Sequence, residues 1–521
     1  MKKNRIKLIL SIALPVILFA FLFSVRLSML QKSSEPNGLD GYFYALQARS
    51  FVETGRLENP SHEPGYYLCG ICSLFTKSPV IGVKVWSALS SAGIAFALFI
   101  LVYFLTGRFL LSLLALLLAS ASPTLSVFGI NYINNQTGIF FLILYAASLV
   151  KLNEIPPAFN LKNFAVILIS ALLFLLSCLC HKVSMMYALL LTFFFFMRKV
   201  LAFFREKKSH LHIKNPFLRV FLIAASTAVL LTGIFIVICF LALHSPRFLH
   251  AFDFPDLPVF HKKIMNEVDL GVIEMSVYAP LLYLLSLFML IKKVPGRSLA
   301  FLVPFIYFPL WNLDSDMGLR MWMNAVPLGL PLFLYFFHSL FPLNLDSAGK
   351  KKLVAVSSVF FCVFALLILF TYKVTPTFYN PKYDPPYPYY KKIVRQISDL
   401  PDDSLLIAHL GLNHVYTYEN NLRDGLNWLP DFEIPVEKTW RLAYGVNFSY
   451  LMDFFEKRIG TAGLPSNFED FIKPIDSKYT FLREDLWQFY LENEDEEIAE
   501  TYKNWYNPHE VRPSYIRKVR K

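Results

Sequence analysis

The sequence predicts an α-helical polytopic membrane protein with about eleven spans and a small extracytoplasmic α/β or α+β domain at its C-terminal end. Three observations carry this. Of 521 residues, 55% are hydrophobic and 16% aromatic while only 17% are charged, a balance foreign to soluble domains. Apolar runs of spanning length recur along the first 372 residues, and basic clusters fall on alternate loops between them. After Tyr372 the chain turns polar, Pro/Tyr-rich and charged.

The first run, Met1 to Leu30, has a basic start (Lys2, Lys3, Arg5, Lys7) and no small-x-small cleavage signal after its apolar stretch. It is expected to be an uncleaved signal anchor with a cytoplasmic N-terminus. Further spans are expected at about 82–105, 109–129, 138–151, 163–180, 183–200, 218–243, 272–291, 298–312, 319–341 and 353–372. The runs 138–151 and 298–312 are short enough to be re-entrant instead. With the N-terminus inside, the cytoplasmic turns are 107–108, 151–162, the strongly basic 198–219, 292–297 and 349–352. The opposite loops, 31–81, 130–137, 181–182, 244–271 and 313–318, collect acids, aromatics and prolines, and the C-terminus emerges on their side. The net charge of +12 is therefore a topology signal and an affinity for anionic membrane lipids, with no nucleic-acid partner implied.

The domain boundary is placed at 372/373, giving a membrane domain 1–372 with a first outer loop 31–81, and a C-terminal domain 373–521. The segment "KVTPTFYNPKYDPPYPYYKKIVRQI" reads as an extended linker. Beyond it, Leu405 to Ala408 reads as a short strand, Gly411 as a turn, and the following residues as a helix or strand. Glu492, Glu494, Glu496 and Glu497 suit a solvated helix and tail.

In the first outer loop, Asp40 opens an expected helix from Gly41 to Thr54, closed by Gly55 in the left-handed region. Two readings of Asp40 compete: a helix N-cap, or a functional acid. Its loop also supplies Glu53, Glu58, His62 and Glu63 with Tyr42, Tyr44, Tyr66 and Tyr67. Aromatics and carboxylates gathered at a membrane face suit a polar head carried on a lipid.

The order of features, a cytoplasmic start, one span, "GLDGYFYALQARSFVETGRL" and then "PSHEPGYYLCGI" before the next span, resembles the superfamily C (GT-C) polytopic glycosyltransferases. Among these it is similar to protein O-mannosyltransferases and lipid A aminoarabinose transferases. The resemblance implies a bacterial inner or plasma membrane and a polyprenyl-phosphate-linked sugar as donor. It also implies an inverting transfer to a lipid, glycan or protein hydroxyl, with no required cofactor; a divalent metal occurs in some relatives. It assigns catalysis to Asp40 and substrate binding to Tyr42 and Tyr44, with His62, Glu63 and Tyr66 from the same loop.

Farther on, His181 and Lys182 form a very tight turn, where the family often has a basic residue near the donor phosphate. An ammonium there stabilises charge building on a phosphate leaving group, while the alternative is a lysine snorkelling at a helix end. Arg320 offers a planar fork for phosphate, or pairs with Asp316 at a helix start; Asp314 lies in the same turn. The chain departs from many relatives at "GINYINNQTGIF", where Asn131, Asn134, Asn135 and Gln136 stand in place of a second carboxylate. Amides such as Gln136 hydrogen-bond a sugar but take no proton at neutral pH.

Other constellations are weaker. Cys69 and Cys72 have redox spacing without a βαβ context, and a helical turn explains them equally. His244, His250 and His261 with Asp253 and Asp256 have metal-ligand chemistry but no diagnostic spacing. The sequon Asn135-Gln136-Thr137 reads as chance. Two rival functions stand beside sugar transfer. A transporter or flippase would use helix-breaking positions in late spans, and Pro304, Pro309, Pro327 and Pro331 provide some. An inactive scaffold presenting the C-terminal domain would account for the missing second acid.

Overall fold

The structure, a computed structural model, describes residues 2–38, 40–59, 61–154, 161–206, 286–292, 297–302, 316–340, 387–396, 405–420, 440–444 and 511–515. The expected spans 218–243 and 353–372 lie outside the described residues, as do the His244, His250 and His261 set, Asp314 and the acidic stretch around Glu492. The chain divides into two compact units. The first contains residues 1–26 and 88–378, and the second contains 27–87 and 379–521. The loop after the first span is thus grouped with the C-terminal residues.

The helices are α1 (Lys2–Leu30), α2 (Gly41–Thr54), α3 (Pro64–Thr76), α4 (Pro79–Thr106), α5 (Phe109–Ala121), α6 (Pro123–Asn131), α7 (Ile133–Glu154), α8 (Leu161–Cys180), α9 (Lys182–Glu206) and α10 (Asp316–Leu340). A helical stretch at 286–291 and a 3-10 turn, Arg297–Leu302, precede α10. Among the described residues, four helices are long and apolar enough to cross a membrane: Ala13–Leu30, Pro79–Thr106, Ile133–Glu154 and Asn163–Cys180. The remaining apolar helices are shorter, at Phe109–Ser120 and Val326–Phe336.

The first unit is a helix bundle, and its burial pattern states its solvent. α8 exposes Phe164, Ile167, Leu168, Ile169, Leu172 and Leu175, an apolar surface that water does not tolerate and lipid does. α4 and α7 bury most of their length instead, contributing Ile94, Leu98, Leu101, Ile139, Leu142 and Ile143 to the core. The protein is an integral membrane protein. Interhelical hydrogen bonds add specificity: Arg26 donates to the Ser120 carbonyl at 2.9 Å, and the Tyr145 and Thr192 hydroxyls meet at 2.6 Å.

Two expected spans are built differently. The run 109–129 is broken between α5 and α6, because Pro123 supplies no N–H to continue α5 and is instead suited to start a helix. Ser122 caps the new start, its Oγ accepting from the Leu125 N–H at 3.2 Å. The run 138–151 is extended at both ends into the 22-residue α7, so residues 133–137, expected in an outer loop, form its first turns.

In the second unit, α2 runs as expected, and Gly55 at φ 72° closes it where a side chain would be strained. The segment 387–396, expected as linker, is a helix, α11 (Tyr387–Gln396), because Tyr387, Tyr390 and Val394 form a buried stripe at helical spacing. Three strands, β1 (Leu405–His409), β2 (Trp440–Tyr444) and β3 (Val511–Tyr515), form a sheet ordered β2-β1-β3. β1 pairs parallel with β2, and antiparallel with β3 from Leu405↔Tyr515 to His409↔Val511. Pro513 sits in β3, where an outer strand can lack a donor. α12 (Leu410–Glu419) follows β1 directly, so Gly411, expected as a turn, is helical.

Candidate active site

In the second unit, the helix opened by Asp40 is held on two sides. Against α3, Gly70 lets Phe51 approach so closely that an added Cβ would lie 2.4 Å from the ring, and Phe51 meets Tyr67 edge-on at 5.9 Å. Against α11 and α12, the Tyr42 ring meets Tyr387 at 4.9 Å and Tyr418 at 5.2 Å. Arg49 donates to the Tyr418 carbonyl at 2.9 Å and lies over the Tyr418 ring.

Polar contacts reinforce this dock. Lys391 pairs with Glu35 at 2.8 Å and with Glu419 at 3.1 Å, and the Tyr42 hydroxyl donates to Glu35. The Tyr387 hydroxyl donates to the Gly38 carbonyl. Burial works to raise the Glu35 carboxyl, but Lys391 and Tyr42 outweigh it and hold it below the usual carboxylate range. Burial likewise opposes the Lys391 charge, and the two carboxylates outweigh it, so its ammonium is held above the usual lysine range.

Asp40 is exposed at the start of α2, at φ −96° and ψ 16°, and its side chain makes no capping hydrogen bond. Its backbone carbonyl accepts the Tyr44 N–H at 3.0 Å, so the helix starts on the main chain. Beside it Tyr66 stacks at a tilt on Tyr44, 5.2 Å apart, and meets Phe43 edge-on at 5.6 Å. Burial first, then the charges of Glu63, Tyr44 and Asp40, push the Tyr66 phenol well above its ordinary value; it also hydrogen-bonds Glu63. Tyr66 therefore stays a neutral phenol between two carboxylates, and only the carboxylates can take a proton.

The structure brings Asp40, Tyr44, Glu63 and Tyr66 together and sends Tyr42 elsewhere. Tyr42 is 2% exposed, and its hydroxyl belongs to the Glu35 network that docks α2. His62 is exposed just before α3. Gln47, buried on α2, accepts the Asn59 N–H through Oε1 at 3.2 Å. Glu35, Arg49, Lys391 and Glu419 were missed from sequence, because their partnerships join segments far apart in the chain.

In the first unit, His181 alone separates α8 from α9, as the tight turn predicted. Its Nδ1 accepts the Val183 N–H at 3.2 Å, so this ring atom serves the start of α9. Lys182, half-buried, is the first residue of α9. Ser184 Oγ donates to the Ser177 and His181 carbonyls, each at 2.8 Å, fixing the junction. Gln136 is fully buried on α7, and its Nε2 donates to Ser90 at 2.8 Å. Arg320 lies in the first turns of α10. The sequon residues Asn135, Gln136 and Thr137 are 1%, 0% and 0% exposed, closed to any modifying enzyme.

Cys69 and Cys72 are free thiols on α3. Burial pushes the Cys69 thiol well above its ordinary value and raises Cys72 as well, which disfavours the reactive thiolate. No group of three or more His, Cys, Asp or Glu side chains suited to a metal occurs among the described residues.

No family model and no curated protein sequence matches the chain. Solved structures do. The archaeal oligosaccharyltransferase AglB from Archaeoglobus fulgidus, in complex with an inhibitory peptide and a dolichol-phosphate, is similar with a TM-score of 0.57 at 12% identity, over 84% of this chain and 63% of that one. The Archaeoglobus fulgidus oligosaccharyltransferase tethered to an acceptor peptide containing the NVT sequon gives 0.51 at 14% identity, over 84% and 62%. ArnT from Cupriavidus metallidurans bound to undecaprenyl phosphate gives 0.48 at 12% identity, over 94% and 95%. The chain spans less than two thirds of the length of the two oligosaccharyltransferases. The chain shares its fold with these oligosaccharyltransferases.

Proposed function

We propose that this chain is a membrane glycosyltransferase that moves a sugar from a polyprenyl-phosphate donor to an acceptor hydroxyl at the extracytoplasmic face, with inversion. The observation that carries the reading is the Asp40 carboxylate: it is exposed and does not cap the helix it opens. Asp40 accepts the proton of the acceptor hydroxyl as its oxygen bonds to the anomeric carbon. The bond from that carbon to the phosphate oxygen breaks, and its electron pair leaves on the polyprenyl phosphate. Lys182, Arg320 and His181 take the phosphate, whose growing charge a cation stabilises. Tyr44, Tyr66, Glu63 and His62 bind the sugar and acceptor, and Tyr42 positions α2 through Glu35; Gln136, expected to bind sugar, is instead buried and ties α7 to α4 through Ser90. The acceptor is a lipid, glycan or protein.

The fold shared with AglB, whose complex contains a dolichol-phosphate and a peptide, supports a lipid-linked donor. The rival reading, a flippase of a lipid-linked substrate, draws on Pro327 and Pro331 inside α10. Mass spectrometry of surface glycans and lipid-linked sugars, in cells with and without the protein, separates the two. Transfer predicts a sugar missing from the glycans. Unchanged glycans with an altered carrier pool would replace this reading with transport.

A further inference from the structure

Asp40 sits in the turn that leads into α2. The Gly41 N–H donates to the Gly38 carbonyl at 3.3 Å, and Asp40, at φ −96° and ψ 16°, has the backbone angles of the third residue of a type I turn. The turn opens on Gly38 at φ 81°, where a side chain would be strained. Its closing bond is at the long end of hydrogen-bond distances, so the turn by itself holds the acid loosely.

Two residues to either side of Asp40, the chain is gripped from the C-terminal half of the sequence. On one side the Tyr387 hydroxyl of α11 donates to that same Gly38 carbonyl. On the other the Tyr42 ring lies edge-on to Tyr387 at 4.9 Å and to Tyr418 at 5.2 Å, with the Lys391 ammonium 5.9 Å from its centre. Tyr387, 1% exposed, therefore touches both flanks of the acid, one with its hydroxyl and one with its ring. A phenylalanine would fill nearly the same volume, and the Gly38 carbonyl already accepts the Gly41 N–H. What the phenol adds is direction. A carbonyl whose two lone pairs meet two fixed donors holds its peptide plane, and that plane orients the turn carrying Asp40. A carboxylate that takes a proton must lie within hydrogen-bond reach of it, and a misplacement of about 1 Å can cost on the order of 100-fold.

We propose that Tyr387 is a positioning residue for Asp40: its hydroxyl fixes the Gly38 carbonyl and its ring fixes Tyr42, so that α11 sets the direction of the carboxylate. The catalytic consequence rests on the glycosyltransferase reading; the clamp on the turn does not. The segment that contains α11 then belongs to the construction of the active site.

Two measurements on the purified full-length protein in nanodiscs test this. Amide hydrogen exchange reads the turn. Release of undecaprenyl phosphate from undecaprenyl-phosphate-linked hexoses and pentoses reads turnover, with envelope glycans and lipids from cells lacking the protein as acceptor. In Tyr387→Phe the Gly41 and Tyr44 amides, which bond Gly38 and Asp40, should exchange roughly 3–10-fold faster, the scale of one lost hydrogen bond. Melting should stay within about 4 °C of wild type. The kcat should fall roughly 10–100-fold while the donor KM and the acid limb of the pH profile stay in place, because Asp40 remains the base in the same surroundings. Val394→Ala, which removes buried packing from the same helix, should lower melting at least as much and leave kcat of the folded protein near wild type. Should Tyr387→Phe not fold, Tyr42→Phe, which releases the other flank from Glu35 and keeps the ring, decides by the same readings. Wild-type kcat in Tyr387→Phe, with an active wild type, would overturn the positioning role and keep the enzymatic reading. An equal loss of kcat in Val394→Ala would also overturn it, by tracing the effect to a general loosening of α11. Faster exchange in Tyr387→Phe, in a protein whose wild type releases no undecaprenyl phosphate, would sink the enzymatic reading and keep the clamp.

Discussion

The two units treat polar groups in opposite ways. In the second, the acid Asp40 is exposed, and the charges that steady its helix, Glu35, Lys391 and Glu419, are paired at 2.8 and 3.1 Å. In the first, the polar cluster of Asn134, Asn135, Gln136 and Asn324 is neutral and buried among apolar helices. The difference follows solvent. A carboxylate that must gain and lose a proton needs water or a polar substrate beside it, whereas inside a membrane bundle an amide is tolerated and an unpaired charge is not. The contrast teaches that the described polar groups follow their surroundings: exposed or ion-paired acids in the second unit, buried neutral amides in the core of the first.

Asp40→Asn strikes that contrast hardest. Asparagine caps a helix about as well as aspartate, so melting should be unchanged. Turnover should fall by roughly 10²–10⁴-fold, the ordinary scale of general-base catalysis. Lys182→Met keeps the apolar stem and removes the charge; transfer should drop by about 2–4 kcal/mol in the transition state, by analogy with loss of an oxyanion donor. Unchanged transfer would return Lys182 to snorkelling.

Lys391→Met tests what steadies the acid's helix. It strands the partly buried Glu35, at a cost of about 1.5–3 kcal/mol in thermal or denaturant unfolding, toward the low end because the pair keeps some exposure. The same pair sets a pH window. Glu35 is depressed in the fold, so its contribution is present above its unfolded value and is lost as pH falls through the folded one. Lys391 is raised, so its contribution is present below its unfolded value and is lost as pH rises through the folded one. Melting temperature should be level between the ordinary carboxylate and lysine ranges and fall on either side, and Lys391→Met should flatten the alkaline limb. Gly138→Ala sharpens the comparison from the first unit. Its methyl meets a Ser184 hydroxyl already bonded to two carbonyls, so α7 must shift, at about 1–3 kcal/mol of stability, with the pH window untouched.

Much of this was legible in the chain where the signals are local. Asp40 before α2 and Gly55 after it are start and stop residues within one segment, and the tight turn at His181 and Lys182 follows from two adjoining apolar runs. Hydropathy alone hid the break at Ser122-Pro123, although a cap followed by proline is itself a helix start. It also hid α3, which Pro64 opens, and α11, whose buried stripe of Tyr387, Tyr390 and Val394 is masked by neighbouring prolines. The Glu35–Lys391–Glu419 network and the Asn135–Asn324 bond carry no local signal at all, because each exists only once distant segments have packed.

The central claim is that Asp40 accepts the proton, and the pH dependence of single-turnover sugar transfer addresses it most directly. Wild type should lose rate tenfold per pH unit on the acid side as one carboxylate becomes protonated, and the residual activity of Asp40→Asn should lack that limb. An acid limb of the same slope and position in Asp40→Asn would contradict the account and assign the titrating group elsewhere.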